Sequence, residues 1–408
     1  MNVLFMTIGR MEEIEAHTLY CDLLRCFRDA GHNVYTISPY EKRLRKKSSF
    51  VENNGVHMLH VQTGNVTKSS SLIEKGFATI SLETIFIKGI KKYLSNVKFD
   101  LVLYSTPPIT FYRAIQYVKQ RDKAKSYLLL KDIFPQNAVD LGMMAKNGPK
   151  GMIYKFFRAK ERKLYAVSDR IGCMSQANVD YVLKHNPEVD PRKVEICPNA
   201  VEVLDRSVSE EDRREIRIKY GIPLDKKVFV YGGNLGKPQG IPFLIECLKS
   251  QEENGEVFFL IVGGGTEYGK LETYFQKAKP TNMKLMKQLP KDDYDKMVGA
   301  CDVGMIFLDH RFTIPNFPSR LLAYMQAGLP VLACTDPNTD VGQVIVDGGF
   351  GWWCESDDSA NFAKILETVN RTAIKEAGRC GQAYLKKNYT TEQAYAIIMQ
   401  GLSDAAGM

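Results

Sequence analysis

Short apolar runs alternate along the chain with longer stretches in which apolar positions recur at helical spacing. Continuous apolar runs of this length are typical of parallel strands that helices cover on both faces. The predicted strands are 3–9, 33–39, 100–108, 126–135, 170–175, 194–199, 227–234, 257–265, 283–289, 302–309, 330–335 and 350–356. A polar stretch at 205–223 separates the first six from the last six. The pattern predicts an α/β protein with two doubly wound domains joined near residues 200–226.

Length and composition agree with this prediction. The chain has 408 residues, more than the ~100–200 of one typical domain. No run of ~18 apolar residues predicts a membrane-spanning helix. The N-terminus "MNVLFMTIGRMEE" has no basic residue before its apolar run, so it predicts a first buried strand rather than a signal peptide. Nine cysteines without a C-x-x-C pair fit a reducing, cytoplasmic compartment better than a disulfide framework or a zinc site.

Positive charge is concentrated in the first half of the chain. The formal net charge is +8, and the basic clusters lie at 41–47, 88–94 and 150–163. Such clusters attract the phosphates of nucleic acids, nucleotides or anionic lipids, and their shared location favours one anionic partner. The segment 71–94 places Ile73, Phe77, Ile80, Thr84 and Ile87 at helical spacing beside lysines. This stripe predicts either the packing face of an outer helix or a contact with a membrane-bound, lipid-linked acceptor.

The stretch "FPSRLLAYMQAGLPVLA" at 317–333 reads as a helix followed by a strand. Ser319 is predicted to cap the helix, and Gly328 with Pro330 to end it. Free backbone N–H groups at the helix start, with the fork of donors on Arg320, would form a seat for a diphosphate. The alternative is a capped helix with an exposed arginine.

A second stretch in the same half, "YGGNLGKPQG" at 231–240, is a strand that ends in a glycine-rich turn. Gly232, Gly233 and Gly236 permit close approach of a ligand to the backbone, and Lys237 supplies positive charge. The two stretches together predict two walls of one nucleotide-diphosphate pocket. A nicotinamide enzyme is a minor alternative, because no G-x-G-x-x-G follows the first strand.

A series of motifs, in this order, resembles family 4 glycosyltransferases, and most closely the branch that assembles capsular and surface polysaccharides. The motifs are "GHNV" (31–34), "STPP" (105–108), "KDIFPQNAVDLGMM" (131–144), "CMSQAN" (173–178), "CPNAV" (197–201), "GGNLGKPQG" (232–240), "IVGGGTEYGKLE" (261–272) and the stretch 317–333. The resemblance covers nearly the whole chain.

The resemblance implies a GT-B fold, with two Rossmann-like domains facing a central cleft. Residues 1–200, with a C-terminal helix from about 385 to 408, would bind the acceptor, and 201–384 the nucleotide sugar. The implied reaction is retaining transfer from a nucleotide sugar, by analogy a UDP-sugar, to a polyprenyl-diphosphate-linked glycan in capsular, exopolysaccharide or lipopolysaccharide assembly. Neither a metal nor another cofactor is implied. The enzyme would be cytoplasmic and peripheral on the inner face of the cell membrane, held there through its basic N-terminal domain, with no nucleic acid partner.

The resemblance implies the diphosphate seat position by position, while the sugar contact and the base below are candidates from residues of this chain that depart from the family pattern. The diphosphate would be held at the start of the helix and flanked by the glycine-rich turn, while 287–293 would lie near the base. Asn316, or Asp309, would contact the donor sugar. Asp132 is the candidate for positioning or deprotonating the acceptor hydroxyl, with Lys131 beside it; alternatively, Asp132 caps the following turn. The predicted donor-binding residues are Gly233, Asn234, Gly236, Lys237, Gln239, Asn316, Ser319, Arg320 and Leu321.

The chain also departs from the family pattern. Asn234 and Gln239 stand where an arginine and a lysine are usual, and Pro315 and Ala323 stand near the positions of two glutamates. Lys131 takes the place of a histidine. These differences keep two alternatives open: a non-catalytic binding or partner subunit of GT-B shape, and a nucleotide-sugar epimerase of that fold.

Overall fold

The computed structural model describes residues 1–66 and 72–404, and the side chains of all of these except 72–78, 149 and 150. The chain divides into two compact units. Unit 1 comprises Met1–Glu202 and the segment from Thr390 onward, and unit 2 comprises Val203–Tyr389. These bounds lie within a few residues of the expected domains. The assignment of acceptor binding to unit 1 and donor binding to unit 2 stays a prediction.

Eight strands of unit 1 and six of unit 2 form the two sheets. They are β1 (Asn2–Met6), β2 (Asn33–Glu41), β3 (Ser49–Asn53), β4 (Val56–Thr63), β5 (Leu101–Ser105), β6 (Lys125–Leu130), β7 (Arg170–Cys173), β8 (Val194–Ile196), β9 (Lys227–Asn234), β10 (Val257–Gly264), β11 (Met283–Met286), β12 (Val303–Phe307), β13 (Val331–Thr335) and β14 (Gly351–Glu355).

Helices connect these strands, as the periodicity of the sequence predicts. They are α1 (Leu19–Asp29), α2 (Leu72–Tyr93), α3 (Tyr112–Asp122), α4 (Gln136–Asp140), α5 (Pro149–Val167), α6 (Gln176–His185), α7 (Glu210–Tyr220), α8 (Ile241–Lys249), α9 (Tyr268–Ala278), α10 (Lys291–Gly299), α11 (Arg320–Gln326), α12 (Val341–Asp347), α13 (Ser359–Thr368), α14 (Arg371–Asn388) and α15 (Thr391–Asp404). Short 3₁₀ turns lie at Lys42–Leu44, Pro191–Lys193 and Lys237–Gln239.

Both sheets are doubly wound. The order in unit 1 is β3-β4-β2-β1-β5-β6-β7-β8, and in unit 2 it is β11-β10-β9-β12-β13-β14. Strand pairing is parallel apart from β3, which runs antiparallel to β4. The winding reverses between β1 and β5 in unit 1 and between β9 and β12 in unit 2. In open α/β sheets, ligands bind beyond the carboxyl ends of the strands at such reversal points.

The twelve predicted runs each contain a strand, but the hairpin of β3 and β4 was missed. Both strands were missed because polar residues interrupt their apolar runs: β3 is an exposed edge strand with only two central apolar residues, and His57, His60 and Gln62 interrupt β4. The turn Asn54–Gly55 has positive φ at both residues, 46° and 77°. An Asn-Gly pair is the strongest short-range hairpin signal, so this element was detectable from the sequence.

The buried face of helix α2 differs from the apolar stripe predicted for the segment 71–94. Its buried positions include Leu82, Phe86 and Ile90, while Ile80 and Thr84 are exposed. Ile73 and Phe77 lie outside the described side chains. The interpretation of this stripe as a packing face is wrong for Ile80 and Thr84, because the buried side chains in the described part of the helix lie two residues further along. Packing on the sheet therefore does not explain why an isoleucine stands at position 80.

The C-terminal helix α15 packs in unit 1. Ala394, Ile398 and Leu402 join the same apolar core as Phe27 of α1. Tyr395 lies edge-on to Phe27, with 4.9 Å between the ring centroids. The C-terminal helix expected from about 385 to 408 is thus anchored by apolar burial. Among the helices of the described residues, none combines the length and apolar character needed to cross a bilayer.

Candidate functional site

The glycine-rich turn follows β9 at the reversal point of the unit 2 sheet. A side chain at Gly232 would overlap Tyr294, since a Cβ there would lie 1.9 Å from the Tyr294 hydroxyl oxygen. Gly233 has a φ of +113°, a conformation that residues with side chains rarely adopt. The turn therefore requires glycine for two separate reasons, close packing at one position and backbone conformation at the next.

Arg320 of α11 connects this turn to the second predicted wall. Its Nη1 donates a hydrogen bond of 3.0 Å to the carbonyl oxygen of Gly232. The guanidinium carbon lies 4.7 Å from the centroid of the Tyr231 ring, a cation–π arrangement. A Cβ at Gly233 would lie 3.9 Å from Nη2 of the arginine. The structure thus brings Arg320 and Gly233 together, and the alternative of a freely exposed arginine is wrong, because the side chain is half-buried against the turn.

The start of α11 differs in detail from the prediction. Ser319 makes no side-chain capping bond, because its backbone is already helical, with φ −65° and ψ −20°. The N–H of Leu321 donates to the carbonyl oxygen of Pro318 at 3.2 Å. The prediction of a free N–H at this position is therefore wrong. The Leu321 side chain is buried. Positive charge from Arg320, rather than a row of free N–H groups, is what this helix start offers a ligand.

Two predicted polar residues of the turn are bonded to each other. Nδ2 of Asn234 lies 3.4 Å from Oε1 of Gln239, and the N–H of Gly236 donates to the same oxygen at 3.3 Å. The side chains of Asn234 and Gln239 therefore stabilise the conformation of the turn.

Lys237 lines a pocket whose walls do not include Arg320. It is exposed and lines a polar pocket of about 570 Å³ together with Lys270 and Asp309. Asp309 pairs with Arg311, with 2.8 Å between Oδ2 and Nη2. Burial opposes ionisation of Asp309, but its hydrogen bonds to Arg311 hold the pKa of the carboxyl below its usual range. Asp309 is thus already paired, which favours Asn316 as the sugar contact.

Asn316 leads to a residue that the sequence analysis missed. The side-chain Nδ2 of Asn316 is buried and finds no hydrogen-bond partner among the described residues. The backbone carbonyl oxygen of Asn316 accepts a bond from Thr339 Oγ1 at 2.5 Å. The Thr339 N–H in turn donates to Oδ1 of Asp336. Oδ2 of Asp336 is also buried without a partner in the described part of the chain, and burial raises the pKa of this carboxyl to about 7. The sequence did offer a signal for Asp336, because it is an aspartate that follows the end of a buried strand, as Asp132 is.

Lys131 and Asp132 follow β6 in unit 1. Their backbone N–H groups donate to the same Thr106 Oγ1, at 3.0 and 3.1 Å. The Lys131 Nζ lies 3.4 Å from the Cys197 carbonyl oxygen, and burial lowers the pKa of this lysine. Oδ1 of Asp132 accepts a bond of 2.7 Å from Asn137 Nδ2. Burial raises the pKa of Asp132 to about 6, which suits a general base near neutral pH.

Acidic residues that could suggest a metal have other partners. His17, Asp22 and Glu202 cluster closely enough to hold an ion. However, Nη2 of Arg25 bonds both Asp22 and Glu202 at 2.7 Å, which puts a positive charge between them. The acids of 292–295 lie at the start of α10, as first-turn acids do.

Substitution of Gly232 by alanine tests the packing of the turn. We expect the free energy of unfolding to fall by about 1–3 kcal/mol, because the methyl group would overlap the Tyr294 ring. Urea unfolding measures this change. Gly264→Ala is the matched control at the end of the neighbouring strand, where a Cβ meets no atom within 4 Å. Equal stability of the two variants would contradict the close contact.

Comparison with known proteins finds a matching family for part of the chain. Residues 212–385 match the model of the family described as glycosyl transferases group 1. Within this range the chain is similar to the group 1 glycosyltransferases. This confirms the resemblance read from the sequence. The match lies within unit 2, which contains Arg320 and the glycine-rich turn.

Three proteins similar to this chain come from bacteria. A probable glycosyltransferase of Pseudomonas aeruginosa, WbjE, is 23% identical over 325 residues, covering 79% of each chain. A putative colanic acid biosynthesis glycosyl transferase of Escherichia coli K12, WcaI, is 22% identical and covers 76% of this chain and 74% of its own length. The structure of Anabaena Alr3699/HepE in complex with UDP and glucose superposes with a TM-score of 0.70 at 14% identity, covering 99% of this chain and 100% of HepE. The fold of the chain is GT-B, as expected.

Proposed function

We propose that the protein is a retaining glycosyltransferase that moves a sugar from UDP to a glycan carried on polyprenyl diphosphate, in the assembly of a surface polysaccharide. The family match supports sugar transfer. The name of WcaI supports the biosynthetic setting, and the UDP bound to HepE supports the nucleotide. The basic clusters of the N-terminal half favour a peripheral position on the inner face of the membrane.

The observation that carries the donor side is the placement of Arg320. The guanidinium has five N–H donors, and one hydrogen bond to Gly232 leaves others for a ligand. Contact with the Tyr231 ring fixes its orientation before a ligand arrives. In this proposal, Arg320 binds the diphosphate and stabilises the negative charge that develops as the nucleotide leaves. Ser319, Leu321 and the turn from Gly233 to Gln239 form the rest of the seat.

Two buried groups without partners are assigned to the donor sugar. A buried amide N–H that lacks a hydrogen bond costs about 1–3 kcal/mol, so Asn316 gains that energy when a hydroxyl accepts its bond. Asp336, with a pKa of about 7, is present in both protonation states at neutral pH. It can therefore accept a bond from a sugar hydroxyl or donate one.

On the acceptor side, Asp132 takes the hydroxyl proton. The bond between the sugar C1 and the diphosphate oxygen breaks, and the acceptor oxygen bonds to C1 on the same face. The electron pair of the broken bond stays with the nucleoside diphosphate, whose charge Arg320 balances. The proton passes to the Asp132 carboxylate and then to solvent. Lys131 belongs to the same loop, held with Asp132 by Thr106.

A thermal-shift series with UDP, GDP and ADP tests the donor assignment. A ligand at ~100 times its dissociation constant stabilises the native state by ~2.7 kcal/mol. We expect UDP and one UDP-sugar to raise the melting temperature selectively. Folded protein that responds to none of the three nucleotides would contradict the proposal and favour a non-catalytic subunit. Product formed from the donor alone, without an acceptor, would favour the epimerase.

Substitution of Asn316 by alanine tests the sugar contact. We expect kcat/KM for the donor to fall about tenfold or more, since a buried hydrogen bond to the sugar is lost. The melting temperature of the free enzyme should not fall, because the variant removes a buried donor that has no partner. Asn388→Ala is the control, because that side chain donates to the Tyr384 carbonyl oxygen at 3.0 Å and serves structure alone. Lower stability with normal kinetics in Asn316→Ala would assign this residue a structural role.

A further inference from the structure

A large apolar groove lies at the reversal point of the unit 1 sheet. Its volume is about 870 Å³, and its walls come from the segments that follow β1, β4, β5 and β6 and from helices α2 and α5. Among the described residues that line it, Thr79 and Thr110 are the two polar ones. A crevice at this place in an open α/β sheet is a typical ligand site.

Several large apolar side chains at the groove remain exposed to water. The exposed fractions are 50% for Ile80, 72% for Met152, 52% for Ile153 and 43% for Phe156. Ile80 is the residue of α2 that does not pack on the sheet, and the other three lie on α5. Two helices thus turn apolar residues toward one groove instead of toward the core. Contiguous exposed apolar surface of this kind marks a binding site for an apolar partner.

Basic residues lie next to the apolar wall. Nζ of Lys160 is 5.8 Å from the centroid of the Phe156 ring and 5.0 Å from that of Tyr112. Nζ of Lys163 is 5.3 Å from the Tyr112 ring, and Nε of Arg113 donates to the Tyr112 hydroxyl at 3.1 Å. Three cations therefore meet around one tyrosine at the edge of the groove.

This positive charge is only partly balanced. Lys160 pairs with Glu83 at 3.2 Å. Within the described parts of the chain, no carboxylate lies within ion-pair distance of Arg113 or Lys163. An apolar groove beside unbalanced cations is complementary to a molecule with a hydrocarbon chain and a phosphate head.

The groove also adjoins the loop of the candidate base. Phe134, which lines it, follows Asp132 by two residues, and Pro107 follows Thr106, the residue that binds the Asp132 N–H. A chain held here keeps its head near that loop. The groove is concave, with walls from six segments, which fits a single chain better than the flat surface of a bilayer.

We propose that this groove binds the hydrocarbon chain of the lipid-phosphate acceptor, and that Arg113, Lys160 and Lys163 bind its phosphate. The inference rests on the proposed function in one respect, that the acceptor is lipid-linked. It adds the site at which the lipid is recognised. The apolar chain supplies affinity by burial, and the cations select a phosphate-bearing lipid over a neutral one.

Binding of farnesyl diphosphate, a short isoprenyl diphosphate that dissolves without detergent, tests the site by calorimetry. We expect the full-length protein to bind it, and inorganic diphosphate to bind much more weakly. The double variant Ile153→Asp, Phe156→Asp should weaken binding about tenfold or more, because charged groups would face the chain. Both residues are about half exposed, so folding should be retained, as circular dichroism will verify. Ile218→Asp is the matched control, an exposed apolar residue on α7 of unit 2 with 61% exposure.

A separate variant tests the cations proposed to bind the phosphate. Lys163→Glu should weaken farnesyl diphosphate binding, while Lys184→Glu, an exposed lysine on α6, should not. Equal binding by the groove variants and the wild-type protein would overturn the proposal. So would binding to vesicles of anionic phospholipid without any binding of farnesyl diphosphate, since that result identifies a membrane surface instead.

Failure of this inference is distinguishable from failure of the proposed function. Stabilisation by UDP does not involve the groove, so the groove variants should keep it. UDP stabilisation without lipid binding overturns the groove assignment alone. Lipid binding without a response to any nucleotide supports the groove and contradicts the donor assignment.

Discussion

Replacement of Arg320 by alanine is expected to lower kcat for sugar transfer by about 10²–10³-fold, the loss typical when a preorganised group that stabilises transition-state charge is removed. The reason lies in the position of this guanidinium. It is oriented by the Gly232 carbonyl oxygen and the Tyr231 ring, next to a turn that permits close approach of a diphosphate. Initial rates with saturating donor measure the effect. Arg320→Lys should recover only part of the activity, because lysine keeps the charge but loses the fork of donors.

The control must separate catalysis from folding. Arg371 also donates to a backbone carbonyl, that of Asp225 at 2.6 Å, and it lies on α14. Arg371→Ala should therefore share any loss of stability from a missing arginine–carbonyl bond and keep the full rate. Undiminished transfer by a folded Arg320→Ala protein would remove the assigned role.

Replacement of Asp132 by asparagine is expected to reduce kcat/KM by about 10²–10⁴-fold, the usual contribution of a general base. Burial raises the pKa of this carboxyl to about 6, and the base acts only when deprotonated. Wild-type activity should accordingly rise with pH through about pH 6 and level off above it. The pH profile of kcat/KM measures this inflection, which should be absent from the residual activity of Asp132→Asn.

Asn137 provides the variant that distinguishes a base from a structural cap. Its hydrogen bond to Asp132 favours the carboxylate and so lowers the pKa. Asn137→Ala should therefore raise the pKa further and move the acid limb to higher pH, while activity at alkaline pH is largely kept. If Asp132 only caps the turn, Asn137→Ala should lower stability and leave the inflection of the pH profile where it is. That outcome would exclude Asp132 as the base.

Features that depend on local sequence were predictable. The twelve apolar runs each contain a strand, because parallel strands covered on both faces need continuous apolar residues. The segment 317–333 holds a helix and a strand as predicted, and the turn after β9 needs its glycines. The hairpin at Asn54–Gly55 was equally local, but it was missed because polar residues interrupt the apolar runs of its two strands. For α2, helical spacing gave two possible faces, and only packing showed that Leu82, Phe86 and Ile90 are the buried ones.

Properties that arise between distant segments were not predictable. Arg320 is half-buried because it contacts Tyr231 and Gly232, about ninety residues earlier. Asp336 was missed because the pattern shows an aspartate after a strand but not that its carboxyl is buried without a partner. The same holds for Asp309, whose pairing with Arg311 depends on the shape of the loop.

The sequence by itself determined the two doubly wound units, the resemblance to glycosyltransferases, and the two segments proposed to form the donor site, because strand burial, glycine conformation and helix periodicity are encoded within short stretches. Tertiary structure alone decided which charges are paired, which carboxyls have raised pKa values, and how Ile80, Phe134 and Phe156 line one groove. Desolvation and ion pairing depend on every atom near a group, and most of those atoms come from parts of the chain that only folding brings together.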